Sequence, residues 1–136
     1  MSVVVLDVES CGRVDATDEI AGALRLGMSV AVVDLVFDRE LRGRGGERLA
    51  CRGLRIECLA DIGPALGLRT RHPCLSLGDA FSLSLAAANR WTLLTSSSIV
   101  ASVARELGVS VTAFERAPAR VSYPRSPYGL VACFRR

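Results

Sequence analysis

The sequence predicts an α/β fold, with helices on both faces of a parallel sheet of about five strands. The alternation of two kinds of segment leads to this fold class. Short runs of valine, isoleucine and leucine alternate along the chain with longer segments whose apolar residues recur every three or four positions. Such alternation of strands and helices is typical of a three-layer α/β/α sandwich. The chain has 136 residues, of which 50% are hydrophobic, enough for one domain with a substantial core.

The first half of the chain contains three predicted strands and two helices. Residues 3–8 form a β-branched run ending near an acid, as expected of a buried parallel strand. Apolar side chains at helical spacing predict a helix over 15–26, closed by a glycine. Residues 30–33 form a second β-branched run, and 34–41 have the apolar positions of a second helix. The alternation in 54–59 predicts the third strand.

The second half of the chain continues the same pattern. Residues 61–68 predict a short helix interrupted by Pro64, and 76–89 a helix apolar almost all round, which should be buried. The fourth strand is predicted at 91–95. An amphipathic helix at 99–107 ends at a glycine, and 109–114 form the fifth strand. We therefore expect a single domain over 1–136, with its core at about 3–114 and a C-terminal tail over 115–136.

Composition excludes several function classes. No apolar run approaches the roughly 18 residues needed to span a bilayer, and no export signal precedes the first strand, so a cytoplasmic protein without membrane contact is expected. The five cysteines form no C-x-x-C pair and are expected to be buried free thiols. His72 is the only histidine, which disfavours a multi-histidine metal site and a Ser-His relay. The net charge of +3 is a weak indication of anionic partners.

Three acids lie where a parallel sheet places its ligands, beyond the carboxyl ends of the strands. Asp7 ends the first strand, Glu40 lies in the helix after the second, and Asp79 lies in the first turn of the buried helix. Each also has a structural explanation: a helix cap for Asp7, a solvated position for Glu40, and a capping box with Ser76 for Asp79. Two carboxylates about 4 Å apart repel by roughly 4 kcal/mol at an effective dielectric near 20, and Mg²⁺ would relieve that repulsion.

Three consecutive serines, Ser96, Ser97 and Ser98, lie between the fourth strand and the following helix. Serine is a preferred helix N-cap, and the free N–H groups of a first helical turn also favour a phosphate. A nucleophilic serine is disfavoured because no histidine is near in sequence and no G-x-S-x-G motif is present. Capping alone, and capping combined with contact to a metal-bound water or a phosphate, both stay open.

Two basic segments are candidates for contact with RNA. Arg42, Arg44 and Arg48 belong to a predicted glycine-rich loop, and Arg69 and Arg71 to a second loop over 69–73 that also contains His72. An ordinary solvated surface is the alternative. Arginine neutralises backbone phosphates, and such binding weakens as salt rises.

The chain resembles a PIN domain, the fold of VapC-like toxin ribonucleases. The resemblance covers residues 3–114 and is most specific in the second half of the chain. It rests on five segments in order: VVVLD at 3–7, VVDLVFDREL at 32–41, LSLGDAFSLSLA at 75–86, LLTSS at 93–97 and RELGVSV at 105–111.

The resemblance implies a metal-dependent endoribonuclease in which Asp7, Glu40 and Asp79 bind Mg²⁺ or Mn²⁺. It also implies a homodimer and, for a toxin, a small antitoxin protein as partner. Ser97 occupies the position where the family usually has a fourth acid. Glu9 stands where the family usually has Asn, Ser or Thr, and on an extended strand it would face the same side as Asp7 and add a metal ligand.

The loss of the fourth acid leaves a second interpretation open, a degenerate PIN domain that binds RNA or a protein without cutting. A small Rossmann-like nucleotide binder is disfavoured because no glycine-rich phosphate loop follows the first strand.

Overall fold

Five short parallel strands form one sheet in the order β3-β2-β1-β4-β5 in the computed structural model, which describes residues 3–113. The strands are β1 Val3–Leu6, β2 Ser29–Val33, β3 Arg55–Glu57, β4 Thr92–Leu94 and β5 Val111–Thr112. The predicted strand residue Phe114, the tail and Cys133 lie outside the described residues. β1 is the central strand: Val5 pairs with Ala31 of β2 on one side and Leu93 of β4 on the other.

Seven helices connect the strands over the described residues. They are α1 Val8–Gly12, α2 Ala16–Arg25, α3 Asp34–Val36, α4 Gly46–Cys51, α5 Gly63–Arg71, α6 Leu77–Asn89 and α7 Ser98–Glu106. A π-helical turn, Phe37–Leu41, continues directly from α3. It has a backbone hydrogen bond of 2.8 Å from the N–H of Arg42 to the carbonyl of Phe37, five residues back.

The sheet lies between two layers of helices, which confirms the predicted α/β/α sandwich. α6 packs against β1, β2 and β4 and is flanked by α5 and α7, whereas α2 packs against β2 and α4. Right-handed crossovers place these two groups of helices on opposite faces. All four residues of β1 are buried, as are Leu83 and Ala86 on α6 and Ile20 on α2. The central strand is therefore covered by helices on both faces, and its carboxyl end lies at the middle of the sheet's carboxyl edge.

Several local predictions differ from the structure. α1 and α4 were not predicted, because helices of five and six residues are too short to show a clear helical period. Pro64 does not interrupt a helix but lies in the first turn of α5, where its missing N–H has no intrahelical partner to lose. The predicted third and fifth strands pair only over Arg55–Glu57 and Val111–Thr112.

Both predicted basic loops are partly helical. Arg48 lies in α4, and Arg69 and Arg71 lie in the last turn of α5, so the prediction of a loop over 69–73 was wrong for these arginines. Basic residues in a last turn interact favourably with the negative end of the helix dipole, which favours the helical conformation of this segment. Arg42 and Arg44 do lie in a turn, between the π-helical turn and α4.

The cysteine prediction holds only in part. Cys11, Cys51, Cys58 and Cys74 are free thiols, as predicted, but only Cys11 is buried and the other three are exposed. Over the stretch that the structure describes, no helix is long and apolar enough to cross a membrane.

Candidate functional site

Asp7 lies directly beyond the carboxyl end of the central strand and is the N-cap of α1. Its Oδ1 accepts a hydrogen bond of 2.8 Å from the N–H of Ser10. The residue is 0% exposed, and its Oδ2 has no hydrogen-bond partner among the described residues. Asp7 therefore caps α1, one of the roles that the sequence suggested, but the cap uses only one of its two carboxylate oxygens.

Burial raises the pKa of Asp7 above its ordinary value, and the negative charge of Asp79 raises it further. The hydroxyls of Ser10 and Thr95 lie close enough to act as hydrogen-bonding neighbours that lower the pKa, as does the N–H of Ser10, without cancelling the effect of burial. By distance and angle, however, the hydroxyl of Ser10 donates to the carbonyl of Leu94, and Oδ2 of Asp7 has no hydrogen-bond partner among the described residues, so the hydroxyls act on Asp7 at longer range. The ionised form of a carboxylate in such a water-excluded position is unfavourable unless a proton or a cation joins it.

Asp79 lies in the first turn of α6 and points back toward the end of β1. Its N–H donates to the hydroxyl of Ser76 over 3.1 Å, which confirms the Ser76 half of the predicted capping box. Its Oδ1 accepts a hydrogen bond of 3.1 Å from the N–H of Val8, the residue that follows Asp7. The two aspartates are therefore neighbours at the same sheet edge.

Gly78 makes this close approach possible. A Cβ at this position would lie 2.5 Å from Cγ2 of Val8 and 3.2 Å from Cγ2 of Val36. Any side chain would push the start of α6 away from α1 and α3. This role could not be predicted from the sequence, because a glycine beside a capping serine has no distinctive pattern.

Glu40 is carried by the π-helical turn and is half-buried. Its Oε1 lies 3.2 Å from the place that a Cβ on Gly12 would occupy, so its carboxylate reaches the last residue of α1. π-helical turns within helices are rare and are frequent at functional sites. The negative charges of Asp7 and Glu40 both contribute to raising the pKa of the buried Cys11 thiol, behind its burial as the main cause. α1 thus lies among all three predicted acids.

Glu9 lies on a different backbone conformation from the predicted one. It lies on α1, not on an extended strand, and its side chain is exposed. The hydroxyl of Ser96 donates to its Oε1 over 3.1 Å, which connects α1 to the turn after β4. The prediction of an extended backbone was wrong because Asp7 caps a helix that begins at Val8.

Ser97 is the N-cap of α7, as predicted for this group of serines. Its hydroxyl accepts from the N–H of Val100 over 3.3 Å, and its own N–H donates to the hydroxyl of Thr95 over 3.0 Å. Thr95 is buried beyond the end of β4, where it also lowers the pKa of Asp7. Sequence reasoning missed Ser10 and Thr95, whose hydroxyls resemble those of ordinary core or cap residues.

The four candidate RNA-binding arginines are all exposed, but they do not form one group. Arg42 pairs with Asp38, with 2.6 Å between its Nη2 and Oδ1, and its guanidinium lies 5.4 Å from the centre of the Phe37 ring. Arg44 lies in the same turn, whereas Arg69 and Arg71 lie at the end of α5. The adjacent His72 lies 3.3 Å from the carboxylate of Glu106.

Asp7 and Asp79 lie together at the carboxyl end of β1, whereas Glu40 reaches the last residue of α1, so the three acids do not form a coordination shell. Within residues 3–113, no three His, Cys, Asp or Glu side chains are placed to hold a metal ion together. Asp7 and Asp79 each direct one oxygen at a backbone N–H. The donors available are carboxylate and hydroxyl oxygens, the ligand type that Mg²⁺ and Mn²⁺ prefer, and Oδ2 of Asp7 has no hydrogen-bond partner among the described residues.

Comparison with known proteins identifies the architecture. No protein-family model matches the chain, and no curated protein matches it in sequence. A PilT N-terminus domain protein from the hyperthermophilic archaeon Sulfolobus solfataricus has a similar structure, with a TM-score of 0.63 and 17% identity over 82% of this chain and 86% of that chain.

Two further solved structures match at similar levels. A protein from Pyrobaculum aerophilum gives a TM-score of 0.56 at 10% identity, over 79% of this chain and 90% of its own. A domain of a functionally unknown protein from Methanocaldococcus jannaschii gives 0.53 at 17% identity, over 91% and 99%. At these identities the likeness concerns the fold alone. The chain has a PIN-like fold, that of PilT N-terminus domains.

Proposed function

We propose that the protein is a metal-dependent endoribonuclease that hydrolyses RNA phosphodiester bonds. The observation that carries this proposal is Asp7, a fully buried carboxylate with a raised pKa and an Oδ2 without a partner among the described residues. Such a group costs stability in the folded protein, and carboxylates with perturbed pKa values are concentrated at functional sites. Its place at the carboxyl end of the central parallel strand, with Asp79 bonded to the next residue and Glu40 at the other end of α1, is where α/β sheets bind ligands.

Asp7, Asp79 and Glu40 would hold the Mg²⁺ or Mn²⁺ ion. When bound, such an ion supplies a positive charge that orients a water molecule and neutralises the phosphate under attack. The half-buried side chains of Asp79 and Glu40 would turn toward Oδ2 of Asp7, which is itself held by its bond to Ser10. Ser97 would donate a hydrogen bond to the attacking water or the scissile phosphate, and Glu9 would add a carboxylate at the rim of the site.

The same proposal extends to partners. RNA would be contacted by Arg42, Arg44, Arg69 and Arg71, with Arg42 exchanging its bond to Asp38 for a phosphate. By its resemblance to VapC-like proteins, the chain would act in the cytoplasm as a homodimeric toxin that a small antitoxin inhibits.

The test is RNA cleavage by the purified protein with Mn²⁺, with EDTA, and as the Asp79→Asn variant. We expect the wild type to cleave RNA with Mn²⁺, and we expect no cleavage in EDTA or by Asp79→Asn. Asp61→Asn is the matched control, because it removes an exposed carboxylate beyond the edge strand β3 whose Oδ1 accepts the N–H of Gly63. Cleavage that persists in EDTA would contradict the metal-carboxylate mechanism. So would a loss of cleavage in Asp61→Asn that is as complete as the loss in Asp79→Asn.

A second function has its own support. No three acidic, histidine or cysteine groups within residues 3–113 are positioned for a metal, and the turn after β4 has serine where a carboxylate is expected from the resemblance. A PIN-like module that binds RNA or protein without cutting would explain both. Salt-sensitive RNA binding with no cleavage under any metal condition would support this alternative.

A further inference from the structure

The helices α2, α4, α6 and α7 each lead into a strand at the amino edge of the sheet, opposite to the edge that carries the acids. All four end in the same turn, in which an N–H donates to the carbonyl five positions back and the preceding residue has a positive φ. The donor and acceptor pairs are Met28 and Ala23, Leu54 and Leu49, Trp91 and Ala86, and Val109 and Ala104. The residue before each donor therefore has to adopt a left-handed conformation.

Glycine occupies that position in three of the four turns, whereas arginine occupies it in the fourth. The glycines are Gly27, Gly53 and Gly108, with φ of 83°, 114° and 72°. After α6 the residue is Arg90, with φ 58°, and no other non-glycine residue among those described has a positive φ. A Cβ disfavours this conformation, so glycine would stabilise the turn. Residues held in unfavourable conformations are frequent at binding sites, which makes the Arg90 side chain a candidate for a role other than folding.

A groove of about 310 Å³ lies beside Arg90, between the end of α6 and the turn from α7 to β5. We call it the amino-edge groove. Its apolar walls include Trp91, Leu107 and Val109, while Arg90 and Ser110 contribute polar side chains. Among the described residues, no acid lines it. Its volume is at the lower end of the range for pockets that hold small organic molecules.

The ring of Trp91 is held from the side of the edge strand β3. Cζ of Arg55 lies 4.9 Å from the centre of the ring, and Nε of the same arginine lies 3.1 Å from Oε2 of Glu57. The cation–π contact and the ion pair together restrict the orientation of the indole. A ring that is already oriented loses little freedom when a second flat apolar group packs against it.

The guanidinium of Arg90 is available to a ligand. Within the part of the chain that the structure describes, it has no ion pair and no hydrogen bond, whereas Arg55 is paired with an acid. The carboxylate of Glu106, in the last turn of α7, lies 3.3 Å from His72. The last carbonyls of α6 already accept the N–H groups of Arg90 and Trp91. A guanidinium presents two parallel N–H groups that fit a carboxylate or a phosphate.

We propose that the amino-edge groove binds a small aromatic acid. The ring of the ligand packs on Trp91, its carboxylate or phosphate pairs with Arg90, and the hydroxyl of Ser110 donates a further hydrogen bond. Such a ligand explains why arginine stands where the other three turns have glycine. The groove and Asp7 lie at opposite edges of the sheet, so this site does not depend on the proposed nuclease activity.

Trp91 makes the groove directly observable, because it is the only tryptophan of the chain. Its fluorescence would be titrated with benzoate and with phenyl phosphate, whose acidic groups distinguish a carboxylate ligand from a phosphate ligand. Benzamide is the neutral control, with nearly the shape of benzoate but no charge. We expect saturable changes at millimolar concentrations for at least one anion, because ligands of this size bind weakly. Benzamide should bind at least about tenfold more weakly than that anion.

Two variants lose the same charge at the same edge of the sheet. Arg90→Gly removes the guanidinium and places glycine at a left-handed position. It should bind the anion at least about tenfold more weakly and yet melt at a higher temperature than the wild type. Arg52→Gly is the control, because Arg52 is exposed, lies outside the groove and has φ −96°. It should change the affinity by less than about twofold and should not raise the melting temperature.

A third variant blocks the groove without a change of charge. Ala87 is exposed on α6 and lines the groove, so the ring of Ala87→Phe would occupy the space of the ligand. We expect this variant to lose the saturable fluorescence change with the anion.

Four outcomes would overturn the proposal. One is that the wild type shows no saturable binding of either anion, and another is that benzamide binds as tightly as the anion. Equal losses of affinity in Arg90→Gly and Arg52→Gly would reduce the effect to the general charge of this edge. A lower melting temperature of Arg90→Gly than of the wild type would assign the arginine to the fold instead of to a ligand.

Discussion

The carboxylate of Asp79 accepts a hydrogen bond of 3.1 Å from the backbone N–H of Val8, 71 residues away in the sequence. This contact fixes the first turn of α6 against the residue that follows Asp7. The N–H of Val8 belongs to the first turn of α1 and has no acceptor within that helix. One carboxylate oxygen thus connects the two halves of the candidate site and also caps a helix to which it does not belong.

Replacing Gly78 with alanine tests how closely α6 must approach α1. The added Cβ would overlap Cγ2 of Val8, and we expect a loss of about 1–3 kcal/mol in the free energy of unfolding, as for other overpacked positions. The matched control is Gly67→Ala in α5, where a Cβ meets only the guanidinium of Arg71 at 3.6 Å. That change should raise helix stability by about 0.5–1 kcal/mol. Urea denaturation measures both, and equal effects would refute the close approach.

Asp7 is expected to reduce the stability of the metal-free protein. Its pKa is raised in the fold, so the folded state binds a proton more tightly than the unfolded state does, and ionisation costs stability at neutral pH. Asp7→Asn keeps an oxygen for the N–H of Ser10 and should therefore stabilise the protein by about 1 kcal/mol in EDTA. Denaturation at pH 7 measures this gain. If Asp7→Asn were instead less stable than the wild type, the carboxylate of Asp7 would have favourable interaction partners in the fold.

The pH dependence of this effect has a defined sign. The favourable protonated form of Asp7 is fully present below its ordinary pKa of 3.8, and its advantage is lost as pH rises through the raised folded pKa. The stability difference between Asp7→Asn and wild type should accordingly grow with pH across that interval and then level off. Mn²⁺ affinity of the wild type should rise over the same range. If the stability difference between Asp7→Asn and the wild type did not change with pH, Asp7 would not be the titrating group.

Glu9 and Ser97 can be tested as a pair by moving one carboxylate. Glu9→Gln should weaken Mn²⁺ binding, measured by calorimetry, with almost no change in stability because Glu9 is exposed. Ser97→Asp should strengthen it, and aspartate caps α7 as well as serine does. The double variant should return to near the wild-type affinity. Glu9→Gln with unchanged affinity would place Glu9 outside the metal site and leave its bond to Ser96 as a structural contact.

The fold was predictable because its signals are repeated along the chain. β1, β2 and α6 have nearly continuous apolar sequences, and buried parallel strands and their covering helices require them. The capping roles of Ser76 and Ser97 were also predictable, since the acceptor and the free N–H groups are three residues apart. The short helices α1 and α4 were missed because each spans fewer than two full turns.

The positions of the three acids were predictable, but their detailed environment was not. A residue directly after a strand can be placed at a sheet edge from topology alone, as for Asp7, and so can one in the first turn of the helix that leads into the next strand, as for Asp79. The hydrogen bond from Val8 to Asp79, the missing partner of Oδ2 on Asp7 among the described residues and the approach of Glu40 to Gly12 depend on contacts between distant segments. No local pattern records such contacts. Glu9 shows the same limit. The sequence predicted that Glu9 lies near Asp7, but on an extended strand, whereas it lies on α1.

The π-helical turn makes the direction of Glu40 depend on the number of residues as well as on their identity. A turn closed by a hydrogen bond from Arg42 to Phe37 contains one residue more than the α-helical equivalent. Deleting one residue between them would restore α-helical spacing and rotate the residues after the deletion by about 100° relative to those before it. A single-codon deletion in this turn should therefore displace Glu40 more than any substitution at its exposed neighbours Asp38 and Arg39.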